Sequence, residues 1–291
     1  MIHADDFDFI AKLIYERSGL VLTAEKSYLL ESRLLPVARK HGLKGLDDLA
    51  RGLRNRLASL TADVVEAMTT NESLFFRDTK PFEQFRRVVL PRLLEARAAK
   101  RSLRIWSAAC SSGQEAYSLA MLLVEEQAKL AGWKIEILGT DLSIEMVERA
   151  RAGIYSQFEV QRGLPVQLLV KHFKQDGDKW QIEPKIRSMA TFREFNLLGD
   201  MAPFGTFDVI FCRNVLIYFD QQTKTRVLEQ VARRLPADGV LFLGGAETVL
   251  GVTDRFEPMP GERGVYRLMP PGAPVASVMP LPALAAMGGR R

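Results

Sequence analysis

An α/β protein with a parallel, doubly wound sheet, preceded by an all-α domain and carrying a small antiparallel β insertion, is the fold class this sequence predicts. Three observations carry it. Apolar residues recur at three- and four-residue spacing from residue 5 to 69, short β-rich runs alternate with helices from about residue 103, and a hairpin signal near Asp176-Gly177 interrupts that alternation.

The N-terminal stretch reads as helical because Phe9, Leu13 and Ile14, then Leu46, Leu49, Leu53 and Leu57, recur with helical period, and Gly19 and Gly42 punctuate the helices. The β-rich runs are Leu103-Arg-Ile-Trp-Ser, Ile135-Glu-Ile-Leu-Gly, Phe207-Asp-Val-Ile-Phe and Val240-Leu-Phe-Leu, with an amphipathic helix from Glu115 to Leu130 between the first two. Strand and helix in alternation place a ligand site at the carboxyl ends of parallel strands. Asp176-Gly177 lies between two β-prone runs, which predicts a hairpin and an antiparallel insertion over about 155 to 190. From Pro270 the chain is Pro, Ala, Gly and Met without periodicity, the composition of a disordered tail.

At 291 residues and 47% hydrophobic, the chain can bury a medium domain and a smaller one, which excludes disorder for its bulk. The acidic start has no apolar signal region and no apolar run of about 18 residues follows, so a soluble, cytoplasmic protein is expected. Cys110 and Cys212 are too few for a disulfide framework and lack paired metal-ligand spacing. Reduced thiols and no metal are expected. The net charge of +5 is unevenly spread. Between residues 33 and 56 seven basic residues, Arg33, Arg51, Arg54 and Arg56 among them, meet two acids, and between 77 and 104 nine meet three. Each run is either a solvated face or a surface for an acidic partner.

The first β-rich run leads into Ser107-Ala-Ala-Cys-Ser-Ser-Gly113 and then a helix, a turn whose free backbone N–H groups suit a nucleotide cofactor. Only Gly113 remains of a glycine-rich fingerprint, which disfavours a dinucleotide and its diphosphate. Asp141 follows Gly113 by 28 residues at the end of the second strand, where a carboxylate accepts from ribose hydroxyls or caps the next helix.

Four ordered motifs go further: Thr69-Thr-Asn-Glu-Ser-Leu-Phe-Phe-Arg-Asp78, Trp106-Ser-Ala-Ala-Cys-Ser-Ser-Gly-Gln-Glu-Ala-Tyr-Ser118, Gly139-Thr-Asp-Leu-Ser143 and Phe211-Cys-Arg-Asn-Val-Leu-Ile-Tyr-Phe-Asp220. Together they resemble the CheR-type chemoreceptor glutamate methyltransferases. The resemblance covers about 65 to 268 and, more loosely, the helical N-terminus. It implies a Rossmann-like class I methyltransferase fold, with a helical substrate-recognition domain and linker over 1–78, the methyltransferase domain over 79–269 and a tail over 270–291. It also implies S-adenosylmethionine as methyl donor, S-adenosylhomocysteine as product, and Asn71, Ser73, Arg77, Glu115, Asp141, Asn196, Leu197, Arg213 and Asn214 around the cofactor. Arg77 suits the cofactor's carboxylate and Glu115 its ammonium. Structural roles compete: Arg77 can cap a helix, Glu115 sits in a first turn, Asn196 can serve a turn, and Phe75 and Phe76 read as core. The chain departs from the family pattern at Gln114, where a glutamate is usual, and at Gly245.

The implied substrates are glutamates on the cytoplasmic methylation helices of chemoreceptors, and the implied product is a methyl ester used in sensory adaptation. A glutamate carboxylate is ionised near neutral pH, its ordinary pKa being about 4.3, so no general base is needed. Tyr218 is the candidate to hydrogen-bond that carboxylate, or else a half-buried structural tyrosine. Arg33, Arg51, Arg54 and Arg56 are the candidate contacts to the acidic substrate helix. No nucleic acid is expected, because residues 33 to 56 contain no Phe, Tyr or Trp for stacking, and the membrane is met only through the receptor. The stretch around Asp176-Gly177 is short, so no receptor tail peptide is needed. The competing readings are a methyltransferase of RNA or a small molecule and a catalytically silent cofactor-binding adaptor.

Overall fold

The computed structural model describes residues 2–269, and the tail expected from Pro270 lies outside them. Four helices, α1 (Ala4–Ser18), α2 (Ser27–Lys40), α3 (Leu46–Arg54) and α4 (Ala58–Met68), build the N-terminal domain. Their apolar stripes close on one another, burying Ile10, Ile14, Leu30, Leu34, Leu49 and Leu60 in a core separate from the rest of the chain. Gly19 ends α1 in the left-handed conformation and returns its amide to the Tyr15 carbonyl. A Cβ there would meet Phe219 and Leu198 at 3.2 Å, so the turn also lets α1 approach the second domain closely.

A helical bridge follows: α5 (Lys80–Gln84), a π-helical turn over Phe85–Val89, and α6 (Leu90–Ala96). Then come β1 (Ser102–Ala108), α7 (Gln114–Glu125), β2 (Lys134–Asp141) and α8 (Ile144–Ala152). The insertion comprises β3 (Ile154–Ser156), α9 (Gln157–Gln161), α10 (Val166–His172), β4 (Phe173–Asp176), β5 (Lys179–Ile182) and α11 (Pro184–Arg187). The chain closes with β6 (Ala190–Glu194), β7 (Val209–Cys212), α12 (Gln221–Ala232), β8 (Val240–Leu243), β9 (Phe256–Pro258) and β10 (Val265–Leu268). Helix α7 stops at Glu125, short of the expected Leu130.

The main sheet has the order β6-β2-β1-β7-β8-β10-β9. Its first five strands are parallel, as the alternation predicts, while β10 runs antiparallel to β8 and β9 antiparallel to β10. The sheet is therefore mixed at one edge. Val209 and Phe211 enter one core while Ile210 and Cys212 enter the other, so helices cover both faces and the strands read as continuous apolar runs. The insertion forms a separate antiparallel sheet, β3-β5-β4. Its hairpin turns at Gly177, whose φ of 59° is left-handed, which is why the Asp-Gly signal found it. Strand order reverses at β1, which pairs with β2 on one side and β7 on the other. A crevice opens at such a point.

Candidate active site

The loops leaving β1, β2, β6 and β7 converge at that crevice, and the 69–77 segment crosses it. Asn71, Ser73 and Arg77 come from that segment, Glu115 from the first turn of α7, Asp141 from the end of β2, Asn196 and Leu197 from beyond β6, and Arg213, Asn214 and Tyr218 from beyond β7. All ten line one cleft. Three non-glycine linings, Ala109, Ser111 and Asn214, have φ between 50° and 59°. Left-handed backbone is costly for such residues and persists only where the surroundings impose it, as at ligand sites. Gly113, at φ 91°, allows close packing instead, since a Cβ there would lie 2.9 Å from that of Ala150 in α8.

Asp141 is buried, and its carboxylate accepts from the amides of Ser111 at 2.7 Å and Ser143 at 2.9 Å, joining the loops after β1 and β2. Burial pushes its carboxyl above the usual carboxylate range, against the pull of these N–H groups. The cap of α8 is Ser143 itself, whose hydroxyl oxygen accepts from the Met146 amide. Asp141 therefore shapes the loop and stands at its edge, rather than capping the helix.

A charge cluster fills the other end of the cleft. Arg213, its side chain 1% exposed, donates to Glu115 at 2.9 Å, to Asp78 at 2.7 Å and to the Arg77 carbonyl at 3.0 Å. Glu115 also accepts from the Ser107 hydroxyl at 2.7 Å. Arg77 donates to the Glu72 carbonyl. Among the described residues, Arg213 Nε is the buried side-chain nitrogen or oxygen left without a partner. The lining also includes the apolar residues Leu20, Leu74, Leu142, Phe195 and Leu197. A carboxylate beside an apolar slot, opposite a cluster of both signs with one donor to spare, is a donor set that fits a nucleoside joined to an amino acid. None of the three histidines lines the cleft, and no metal-ligating group of three appears among the described residues.

Several side chains in these motifs take structural roles, among them the core role that the sequence gives Phe75 and the turn it offers for Asn196. Asn196 donates to the Arg17 carbonyl and accepts from the Leu198 amide, so it serves a turn and a domain contact. Phe75 is fully buried core, packed edge-on against Tyr155. Gln114 is buried, accepting from Ser112, and does not line the cleft. The hydroxyl of half-buried Tyr218 bonds no described residue, while its carbonyl accepts from the Val21 amide at 3.0 Å.

The cationic face over 33–56 is partly engaged within the chain. Arg33 donates to the carbonyls of Met68 and Thr69 and to the Thr70 hydroxyl, so it holds the linker. Arg51 pairs with Asp48, and Arg54 pairs with Asp6 and stacks on Phe9. Arg56 has no described partner and, with Arg54, lines an open groove between the domains. The run over 77–104 is largely structural: Arg86 meets Glu126, Arg97 meets Asp208 and Asp238, and Arg104 meets Glu136. Counting charges along the chain missed these acids because folding alone brings them near.

Sequence reasoning also missed what the helical domain gives the cleft, Ser18 and Leu20, and a cross-domain cap in which Glu66 of α4 accepts from the Ser143 hydroxyl at 2.7 Å and the Glu145 amide at 2.8 Å. Hydrophobic spacing carries no such signal.

Residues 71–265 match the family model described as CheR methyltransferase, SAM binding domain, and residues 5–69 match CheR methyltransferase, all-alpha domain. The chain is 42% identical to chemotaxis protein methyltransferase 1 of Pseudomonas aeruginosa, covering 90% of this chain and 97% of that protein. It is 40% identical to a chemotaxis protein methyltransferase of Vibrio parahaemolyticus, covering 92% and 98%. A third, from Borreliella burgdorferi, is 34% identical over 86% and 90%.

Proposed function

The chain belongs to the CheR methyltransferase family, and from that premise we propose that its cleft brings S-adenosylmethionine to glutamate side chains of chemoreceptors, with the residues assigned as follows. When bound, S-adenosylmethionine supplies an electrophilic methyl group. Asp141 accepts from the ribose hydroxyls, Glu115 from the amino-acid ammonium, and Arg77 together with Arg213 Nε faces the amino-acid carboxylate. Asn71, Ser73, Leu197 and Asn214 complete the lining, and Asn196 holds its wall. The substrate carboxylate arrives already ionised, so the chain needs to orient it rather than deprotonate it. The single observation supporting this reading most strongly is the convergence of all four motifs on one cleft at the strand-order reversal. The experiment is to incubate the protein with methyl-labelled S-adenosylmethionine and receptor-containing membranes. Label released as methanol in base identifies a carboxyl ester, whereas base-stable label or none excludes glutamate methylation.

Tyr218 is assigned to hold the substrate carboxylate through its unengaged hydroxyl. Tyr218→Phe keeps the ring's packing, and kcat should fall about tenfold, the equivalent of one neutral hydrogen bond, while the dissociation constant for cofactor stays within twofold. Steady-state kinetics beside calorimetry decide this, and unchanged kcat removes Tyr218 from the mechanism.

Docking of the acidic methylation helix is assigned to the α3 end of the helical domain, where Arg56 is unpaired and Arg51 and Arg54 are half-committed to acids. The two-residue turn between β4 and β5 supports a receptor interaction that needs no tail tether. The apparent KM for receptor should rise with salt as the Debye length shrinks from about 30 Å at 0.01 M to about 8 Å at 0.15 M. Arg51→Glu, Arg54→Glu and Arg56→Glu together should raise it further with cofactor affinity unchanged. Unchanged KM in the triple variant, or no methylation of a tail-truncated receptor, overturns this docking.

A further inference from the structure

The segment after β7 carries Arg213, Asn214 and Tyr218, yet beyond a single 3₁₀ turn over Leu216–Tyr218 it has no regular structure to fix it. One side chain supplies the partners its backbone lacks. Glu247, in the turn after β8, is buried and has no ion-pair partner among the described residues; its Oε2 accepts from the amides of Asn214 at 2.8 Å and Gly244 at 2.7 Å, and its Oε1 from Val215 at 2.9 Å, Leu216 at 2.7 Å and Ile217 at 3.3 Å. Five backbone N–H groups thus converge on one carboxylate, a nest that replaces a counter-ion. The contact admits no side chain at Gly244, where a Cβ would lie 2.7 Å from Glu247 Oε2 and 2.9 Å from the Asn214 amide, whereas nothing lies within 4 Å of one at Gly245.

We infer that Glu247 is a positioning residue for methyl transfer: by gathering these amides it holds Asn214 in its left-handed turn and so aims Arg213 and Tyr218 into the cleft. The carboxylate is suited to this because every group facing it is a donor. An amide in its place would turn an N–H₂ toward N–H groups that have no other acceptor. Removing it frees the Asn214 turn to relax toward ordinary backbone, which swings the buried guanidinium of Arg213 away from Glu115.

The inference rests on the orientation of the cofactor assigned above, with its amino-acid end at the Arg213 cluster, and the test separates the two. Adenosine reaches the Asp141 end only, whereas S-adenosylhomocysteine reaches both. Glu247→Gln should weaken S-adenosylhomocysteine at least tenfold by calorimetry and leave adenosine within twofold, while Glu247→Asp should recover part of the loss. Gly244→Ala should act like Glu247→Gln by crowding the carboxylate away from these amides while leaving its charge in place, and Gly245→Ala should change neither ligand. Equal losses for both ligands, or none for either, overturn the positioning role, and Gly244→Ala provides the same readout if Glu247→Gln does not fold. If Asp141→Asn spares adenosine, the assigned cofactor orientation fails, whatever Glu247 does.

Discussion

Replacing Arg213 with lysine should lower turnover about 100-fold, equivalent to about 2.7 kcal/mol, even though the charge is kept. The guanidinium serves Glu115, Asp78 and the Arg77 carbonyl at once, and a lysine ammonium cannot span three acceptors in that planar arrangement. Glu115 is the arm that matters most, being 13% exposed against 53% for Asp78, whose pairing is weakened by solvent. Arg213→Met should cost more, because it leaves the Glu115 carboxylate buried with only the Ser107 hydroxyl as donor. Turnover with receptor membranes, measured alongside urea unfolding, separates lost chemistry from lost fold. Arg213→Lys turnover within threefold of the parent would show that charge alone suffices.

The second large effect is expected at Asp141. Taken alone, the sequence suggests that truncating it removes ribose contacts and spares the fold. The structure alters that expectation, since Asp141→Ala would also strand the amides of Ser111 and Ser143, at about 1 to 3 kcal/mol each for buried donors. Asp141→Asn is the cleaner probe, keeping one acceptor oxygen and losing the charge. Its affinity for S-adenosylhomocysteine should fall by about 1.5 to 3 kcal/mol, roughly 10- to 150-fold. Because burial raises this carboxyl, it takes up a proton at higher pH than an ordinary aspartate. A protonated carboxyl loses acceptor capacity, so affinity of the unaltered protein should fall as pH is lowered, and this acid-side loss should be flattened in Asp141→Asn. Calorimetry across pH checks both, and equal affinity of the two proteins would leave Asp141 a loop brace.

Much of the architecture was legible because buried parallel strands advertise themselves: Val209 to Cys212 and Val240 to Leu243 are buried on both faces and read as unbroken apolar runs. Strand β6 was not, since within Ala190–Glu194 only Phe192 is buried, and β9 is three residues ending in Pro258. These edge strands are fixed by pairing with β2 and β10 rather than by their own pattern. The cleft was legible through three motifs that each lie at a strand end and a fourth, over 69–78, that crosses them. Glu247 and Glu66 were not, because their partners are backbone amides, which every residue carries, and in Glu66's case one distant serine hydroxyl. The Arg33 linker clamp was hidden likewise, its acceptors being carbonyls.

The Glu66 bridge ties the helical domain to the wall of the cleft. This one carboxylate of the helical domain holds the first turn of α8, the loop whose other end is Asp141. Val21 holds the Tyr218 carbonyl on the opposite rim, so the helical domain is fastened to both lips of the cleft. A displacement of that domain would therefore reach both walls of the cleft at once. By thermodynamic reciprocity, a partner that moved the domain and a ligand held between those walls would change each other's affinity by the same factor.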